Sequence, residues 1–246
     1  MSQNIYDNGK FFSLYKKLRD NKNSANNLEE KPERLLLLPD IRGKKVLDLG
    51  CGYGEDCLAY SEMGAKSVKG IDISKKMLEV AKTTCNNSEN VSFECIDMEK
   101  IYSLNEKFDI IVSSLAIHYI KDFDNLCNSV MKLLNKGGYF LFSQEHPIFT
   151  APQNGVTWQT DIGGRIKGMV VEDYPISGKR ETYWLVDNVI KYHRTFSDIV
   201  NALIRSGFSL KEIKEPTVTD EVIAKSPNLF RCKHVPDYLF VLAQKE

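Results

Sequence analysis

Long apolar runs are missing from this 246-residue chain, and none approaches the ~20 residues that a membrane-crossing helix needs. No apolar segment of the kind that directs secretion follows Met1, so a cytoplasmic protein with no membrane partner is the expectation. The six cysteines, Cys51, Cys57, Cys85, Cys95, Cys127 and Cys232, contain no C-x-x-C pair. That removes the common zinc and dithiol patterns, and no metal site is expected. Net charge is absent as well, because 33 Lys and Arg face 33 Asp and Glu. Such a balance argues against a broad electrostatic hold on nucleic acid. Histidine is scarce, and the four present leave few side chains to move a proton near neutral pH. No internal repeat is visible, and the only biased segment is the Asn-rich stretch at 21–27.

What is present is the material of a globular core, with 42% hydrophobic residues. From residue 44 strand and helix signals alternate. Val46–Leu49 reads as a short buried strand, and 55–63 as a helix that Gly64 can close. Val68–Ile73 is a second strand. Ser74 can cap a helix whose Met77, Leu78, Ala81 and Cys85 share one face. Strands at 91–96, 108–112 and 139–143 follow, with a helix over about 122–135 before the last of them. Strands separated by helices of this length predict a parallel sheet of Rossmann-like, doubly wound α/β class, with helices on both faces.

The ends and one interior segment depart from that rhythm. Residues 1–43 are polar, with Phe11, Tyr15 and Leu18 on one possible helix and Leu35–Leu38 on another. Residues 148–193 carry glycines, aromatics and turn signals that suggest antiparallel structure. Regularity returns at 194–246, where Thr195-x-x-Asp198 resembles a capping box and 208–214 and 238–243 read as two last strands. The expected organisation is one domain over 1–246, with a helical lid at 1–43, a ligand-binding core at 44–147, an insertion at 148–193 and a closing segment at 194–246. About seven strands are expected, the last antiparallel.

The densest signal is "VLDLGCGYGEDC", where Gly50, Gly52 and Gly54 follow a buried strand at every second position. In a doubly wound sheet ligands sit beyond the carboxyl ends of the strands, so a bare backbone there permits close approach. Asp72 ends the second strand about 20 residues later, the usual place for a carboxylate that accepts from a ribose diol. Asp97 closes the third strand. A nucleoside-bearing cofactor follows, and the G-x-G-x-G spacing with Glu55 next disfavours a dinucleotide.

"VLDLGCGYG", "GIDIS", "IDME" and "FDIIVSSLAIHYI", in order over residues 44–146, resemble the motifs of class I S-adenosylmethionine (SAM) dependent methyltransferases. The resemblance is to the type 11, UbiE-like, small-molecule group. "EHPIFTA" and "YHRTFSDIVNALIRSGF" are more weakly similar to bacterial small-molecule methyltransferases. The resemblance implies that Gly50, Gly52 and Gly54 pass the methionine and ribose of SAM. It implies that Asp48 orients that loop or touches the amino group, and that Asp72 takes both ribose hydroxyls. Ile73 would pack on adenine, Asp97 would accept from its amine with Met98 alongside, and Ser113 and Ser114 would lie near the methionine end. The N-terminal segment would close over SAM with Tyr6, Tyr15 and Arg19, the last pairing with its carboxylate.

Methyl transfer from a sulfonium is an SN2 displacement governed by alignment and the exclusion of water. A base is needed only where the acceptor must lose a proton. Glu145 and His146, at the end of the fifth strand, are the candidate catalytic pair. His118 and His193 read as structural, and Trp158, Tyr174, Tyr183 and Trp184 as an acceptor pocket or the insertion's own core. The expected acceptor is a small molecule, with no nucleic-acid partner, in a monomer or homodimer. The alternatives are a non-catalytic SAM-binding module and an RNA or protein methyltransferase.

Overall fold

The computed structural model describes residues 3–246. Five strands come first: β1 (Lys45–Leu49), β2 (Ser67–Asp72), β3 (Val91–Cys95), β4 (Phe108–Ser113) and β5 (Leu134–Glu145). Two hairpins follow, β6 (Thr157–Thr160) with β7 (Ile166–Val170) and β8 (Gly178–Trp184) with β9 (Val186–His193). β10 (Ser209–Lys214) and β11 (Tyr238–Gln244) complete the strands. The main sheet runs β10-β11-β5-β4-β1-β2-β3. β1 to β5 pair in parallel, whereas β11 is antiparallel to both β5 and β10. The order reverses between β1 and β4, which opens a crevice beyond their carboxyl ends.

The helices are α1 (Gly9–Arg19), α2 (Lys31–Leu37), α3 (Glu55–Glu62), α4 (Lys75–Thr84), α5 (Phe123–Leu133), α6 (Pro147–Thr150), α7 (Phe196–Arg205) and α8 (Asp220–Lys225). Strand alternation sorts the core into two layers. Leu47, Leu49 and Ile111 pack with Val130 of α5 and Leu203 of α7. Val46, Ile110 and Val112 face the other way, with Cys57 and Tyr60 of α3 and Leu78 of α4. Local signals set the ends: the Ser74 hydroxyl accepts from Met77 N at 3.1 Å, and Thr195 and Asp198 form a reciprocal capping box. Met77, Leu78, Ala81 and Cys85 are all buried, as their spacing predicts.

Three features differ from the sequence expectation. β5 begins at Leu134 rather than 139, because Gly137 N, at φ +77°, donates to Lys245 O at 2.7 Å and holds the strand entry against the C-terminus. α8 and a 3-10 helix over Pro227–Lys233 fill the connection between the last strands. α6 follows β5 directly, started by Pro147.

The N-terminal segment reaches across the crevice. Gln3 bonds the backbone of Asn188 and Ile190, at 2.8 and 2.9 Å, on the second hairpin. Asp7 accepts from the Ser74 hydroxyl at 2.6 Å on the core. Deeper down, Arg34 is fully buried and donates to Glu30 at 2.9 Å, Tyr60 at 2.5 Å and Asp56 at 2.7 Å. Ser143 and Ser114 also donate to Glu30, at 2.6 and 2.9 Å. A buried ionic network therefore ties α2 to α3 and to the ends of β4 and β5. Among the described residues no helix is long and apolar enough to cross a membrane, and the six cysteines are unpaired.

Candidate active site

A cavity of about 300 Å³ lies over the carboxyl ends of β1, β2 and β4. Gly50, Gly52, Asp72, Ile73, Asp97 and Met98 form its floor and one wall. Tyr6, Tyr15 and Arg19 come down from the N-terminal segment. The expected binding residues thus come together, with three exceptions.

Each exception has a packing reason. Asp48 lies beneath the glycine loop instead of in the cavity, where its carboxylate takes the Cys57 thiol at 3.4 Å. Burial, then nearby Asp56, pushes its carboxyl up to about 7. Ser113 is fully buried and donates to Leu49 O at 2.9 Å, leaving Ser114 to line the cavity. Gly54 has φ +73° and sits at the start of α3, where an added Cβ would come within 2.9 Å of the Phe93 ring and 3.0 Å of Ala81. Its role is close packing of the loop on α4 and β3. Gly52 differs: at φ +52° its missing Cβ would meet no atom within 4 Å and would project into the cavity. That open cradle above a carboxylate fits a ligand carrying a sugar diol.

Asp72 is held for such a task. Its two oxygens accept from Gly52 N at 3.0 Å and Ser74 N at 2.8 Å. Burial, opposed by these bonds, raises its carboxyl to about 6. Asp97 caps the next helical turn by accepting from Glu99 N at 3.0 Å while it lines the cavity. Arg19 reaches the cavity with its guanidinium on Glu55 and Asn26.

The expected catalytic pair is split. Glu145 lines the cavity and pairs with Lys191 at 2.5 Å. Burial alone would raise its carboxyl, but Lys191 and His118 hold it below its ordinary value. His146 does not line this cavity. Its Nδ1 accepts from Ile148 N at 3.3 Å and caps α6, and its Nε2 bonds Glu215 at 2.7 Å. Adjacent residues at a strand end project to opposite sides, so Glu145 and His146 cannot both face the crevice.

His118, read from sequence as structural, does line the cavity. Its Nδ1 accepts from Glu145 N at 3.3 Å, which assigns the proton to Nε2, and burial lowers the ring to about 4. It is a neutral donor rather than a base. Tyr119 and Tyr238 also line the wall and were not among the sequence candidates. Of the insertion aromatics, Trp184 faces this cavity, whereas Trp158 packs on Phe149 and Tyr174 accepts from Phe196 N. His193 is structural, bonded to Thr150 at 2.9 Å and Tyr174 O at 2.8 Å.

Residues 41–187 match the family described as a methyltransferase domain, more than half of the chain. The chain belongs to that methyltransferase family. The crystal structure of an S-adenosylmethionine dependent methyltransferase from Mesorhizobium loti is 37% identical, with a TM-score of 0.82, over 90% of this chain and 98% of that one. An uncharacterized protein of Haemophilus influenzae is 39% identical over 98% of this chain and 96% of its own length. A ubiquinone biosynthesis O-methyltransferase of Coxiella burnetii is 31% identical over 112 residues, about half of each chain (45% and 47%). The protein is a SAM-dependent methyltransferase with the seven-stranded sheet of its class.

In this methyltransferase the two loop glycines separate cleanly by experiment. Gly52→Val is expected to fold, lose about 1–2 kcal/mol to left-handed strain, and fail to bind S-adenosylhomocysteine (SAH) in a calorimetric titration. Gly54→Val should fail earlier, as a large drop in melting temperature. If Gly52→Val binds SAH like the parent, the cradle is not where the cofactor lies.

Proposed function

We propose that this methyltransferase binds SAM in the 300 Å³ cavity and transfers its methyl group to a small molecule held in an adjoining one. The observation that carries this reading is a second cavity, of about 620 Å³, that shares Glu145, Trp184 and Tyr238 with the first. SAM in the first cavity would place its ribose on Asp72, its adenine between Ile73 and Met98 beside Asp97, and its methionine end past Gly50 and Gly52 toward Arg19. Residues 3–43 and the hairpins of 148–193 would act as lid and acceptor wall on one catalytic domain. The O-methyltransferase relative supports a small acceptor. The neutral charge gives no broad electrostatic hold for a nucleic acid. A cytoplasmic setting agrees with six free thiols.

The chain's own groups position more than they deprotonate. Glu145 is an ionised carboxylate already neutralised by Lys191, which also lies 5.3 Å over the Trp184 ring. A carboxyl held below its ordinary value is a weak base. It would orient an acceptor that presents an N–H or O–H to it, while His118 Nε2–H donates and the aromatic wall excludes water. Incubation with methyl-tritiated SAM and a size-fractionated cell extract tests the acceptor class. Label should appear in the low-mass fraction, and label confined to RNA or protein would overturn the small-molecule reading.

A further inference from the structure

Away from the carboxylates of the cofactor site, three ligand-bearing side chains from two distant segments converge. Glu29 comes from the wide helical turn Asn26–Glu30, Cys232 from the 3-10 helix Pro227–Lys233, and Asp237 from the residue before β11. A carboxylate oxygen of each acid and the Cys232 sulfur all lie within 4.8 Å of one another, and all three residues are buried. Glu29 is 3% exposed, yet among the described residues no hydroxyl or amide reaches either of its oxygens, nor Oδ1 of Asp237. The other Asp237 oxygen is taken by Arg231. The Cys232 S–H is a weak donor toward both acids, and a single S–H cannot satisfy three buried carboxylate oxygens.

A divalent cation satisfies all of these groups together. Its two charges and the Arg231 guanidinium balance one thiolate and two carboxylates. The thiolate selects against magnesium and calcium, which take six or more oxygen ligands or keep several waters. Cys, Glu and Asp are all ordinary zinc ligands, and three protein ligands with one further position is a common zinc arrangement.

We propose that Glu29, Cys232 and Asp237 form a zinc site that pins the N-terminal turn to the C-terminal segment. The consequence reaches both cavities without contact with the methyl donor. The turn that holds Glu29 also carries Asn26, on the cofactor cavity wall, and Glu30, the centre of the buried network. Asp237 lines the second cavity and precedes Tyr238, which lines both. The ion therefore fixes the edge along which the two cavities meet. The competing arrangement is a protonated Glu29 shared with Asp237, which needs no metal.

The test uses the full-length protein, stripped with chelator and titrated first with zinc and then, in a separate sample, with cobalt. Zinc should bind at one equivalent per chain and raise the melting temperature. Cobalt should give a near-ultraviolet thiolate-to-metal charge-transfer band. Cys232→Ser should abolish that band and weaken zinc by more than about a hundredfold, beyond the 10–100-fold typical of outer partners. Glu29→Gln is nearly isosteric and carries the comparison if the serine variant does not fold; it should weaken zinc similarly. Absence of stoichiometric zinc uptake, or a cobalt band that survives in Cys232→Ser, overturns the site and favours the shared proton.

Discussion

Asp72→Ala is expected to weaken SAH binding by roughly 2–3 kcal/mol, about 30- to 150-fold, while the chain stays folded. The carboxylate ends β2 at the cavity floor, and each of two ribose hydroxyls would make a charge-assisted bond to it. Because Asp72 also orients the loop by accepting from Gly52 N, Asp72→Asn serves as the milder partner, with a smaller loss. A pH dependence accompanies the effect. Burial, resisted by the Ser74 and Gly52 bonds, sets this carboxyl at about 6, above its ordinary value. For binding, affinity should be full above that pH and fall as the acceptor is protonated below it. For folding the sign is opposite: the raised group favours the fold below the ordinary carboxyl range, and that contribution is lost as pH rises through about 6. Calorimetry at pH 7.5 and 5.5 reads the first effect, and parent-like affinity in Asp72→Ala would remove the ribose assignment. (The two settings lie about 1.5 units above and about half a unit below that value, so binding at the lower one should be weaker by roughly fourfold.)

The second large effect concerns stability. Arg34→Met should cost about 3–5 kcal/mol, because it leaves the buried Glu30 carboxylate without its counter-ion. Arg34 has no exposed surface and donates to Glu30, Tyr60 and Asp56. Glu30 keeps only neutral donors after the change, from Asn26, Ser114 and Ser143. Adding Glu30→Gln to Arg34→Met removes the orphaned charge and should recover part of the loss. Urea denaturation measures both. A loss under about 1 kcal/mol, the range of a surface pair, would mean that the network is solvated rather than buried.

The sheet and its glycine loop were legible because their signals are local. A four-residue apolar strand, a glycine-rich turn and a Ser74 or Thr195 cap each declare themselves within a few residues. The Glu30–Arg34 network was not legible. At i,i+4 spacing on a polar segment it reads as a solvated helix pair, and its burial depends on Tyr60 and Asp56, over twenty residues away. Two of the misplaced site residues had a usable signal. Strand alternation allows only one of Ser113 and Ser114, and one of Glu145 and His146, to face the crevice. Pro147, which starts a helix directly after His146, marks that residue as a cap. Trp184 stood out only as one of four insertion aromatics, and Tyr238 carried no local signal. They reach the wall only because the second hairpin and the last strand close against β5 and the N-terminal segment.

Hydrogen exchange with and without SAH addresses the central claim, that SAM is held between the glycine loop and the N-terminal segment. The geometry predicts slower exchange at 50–54 and, in the same sample, at residues 5–28, where Tyr6, Tyr15 and Arg19 line the cavity. Protection at 50–54 alone would make the N-terminal segment a static support. Exchange at 50–54 that ignores SAH would contradict the account outright.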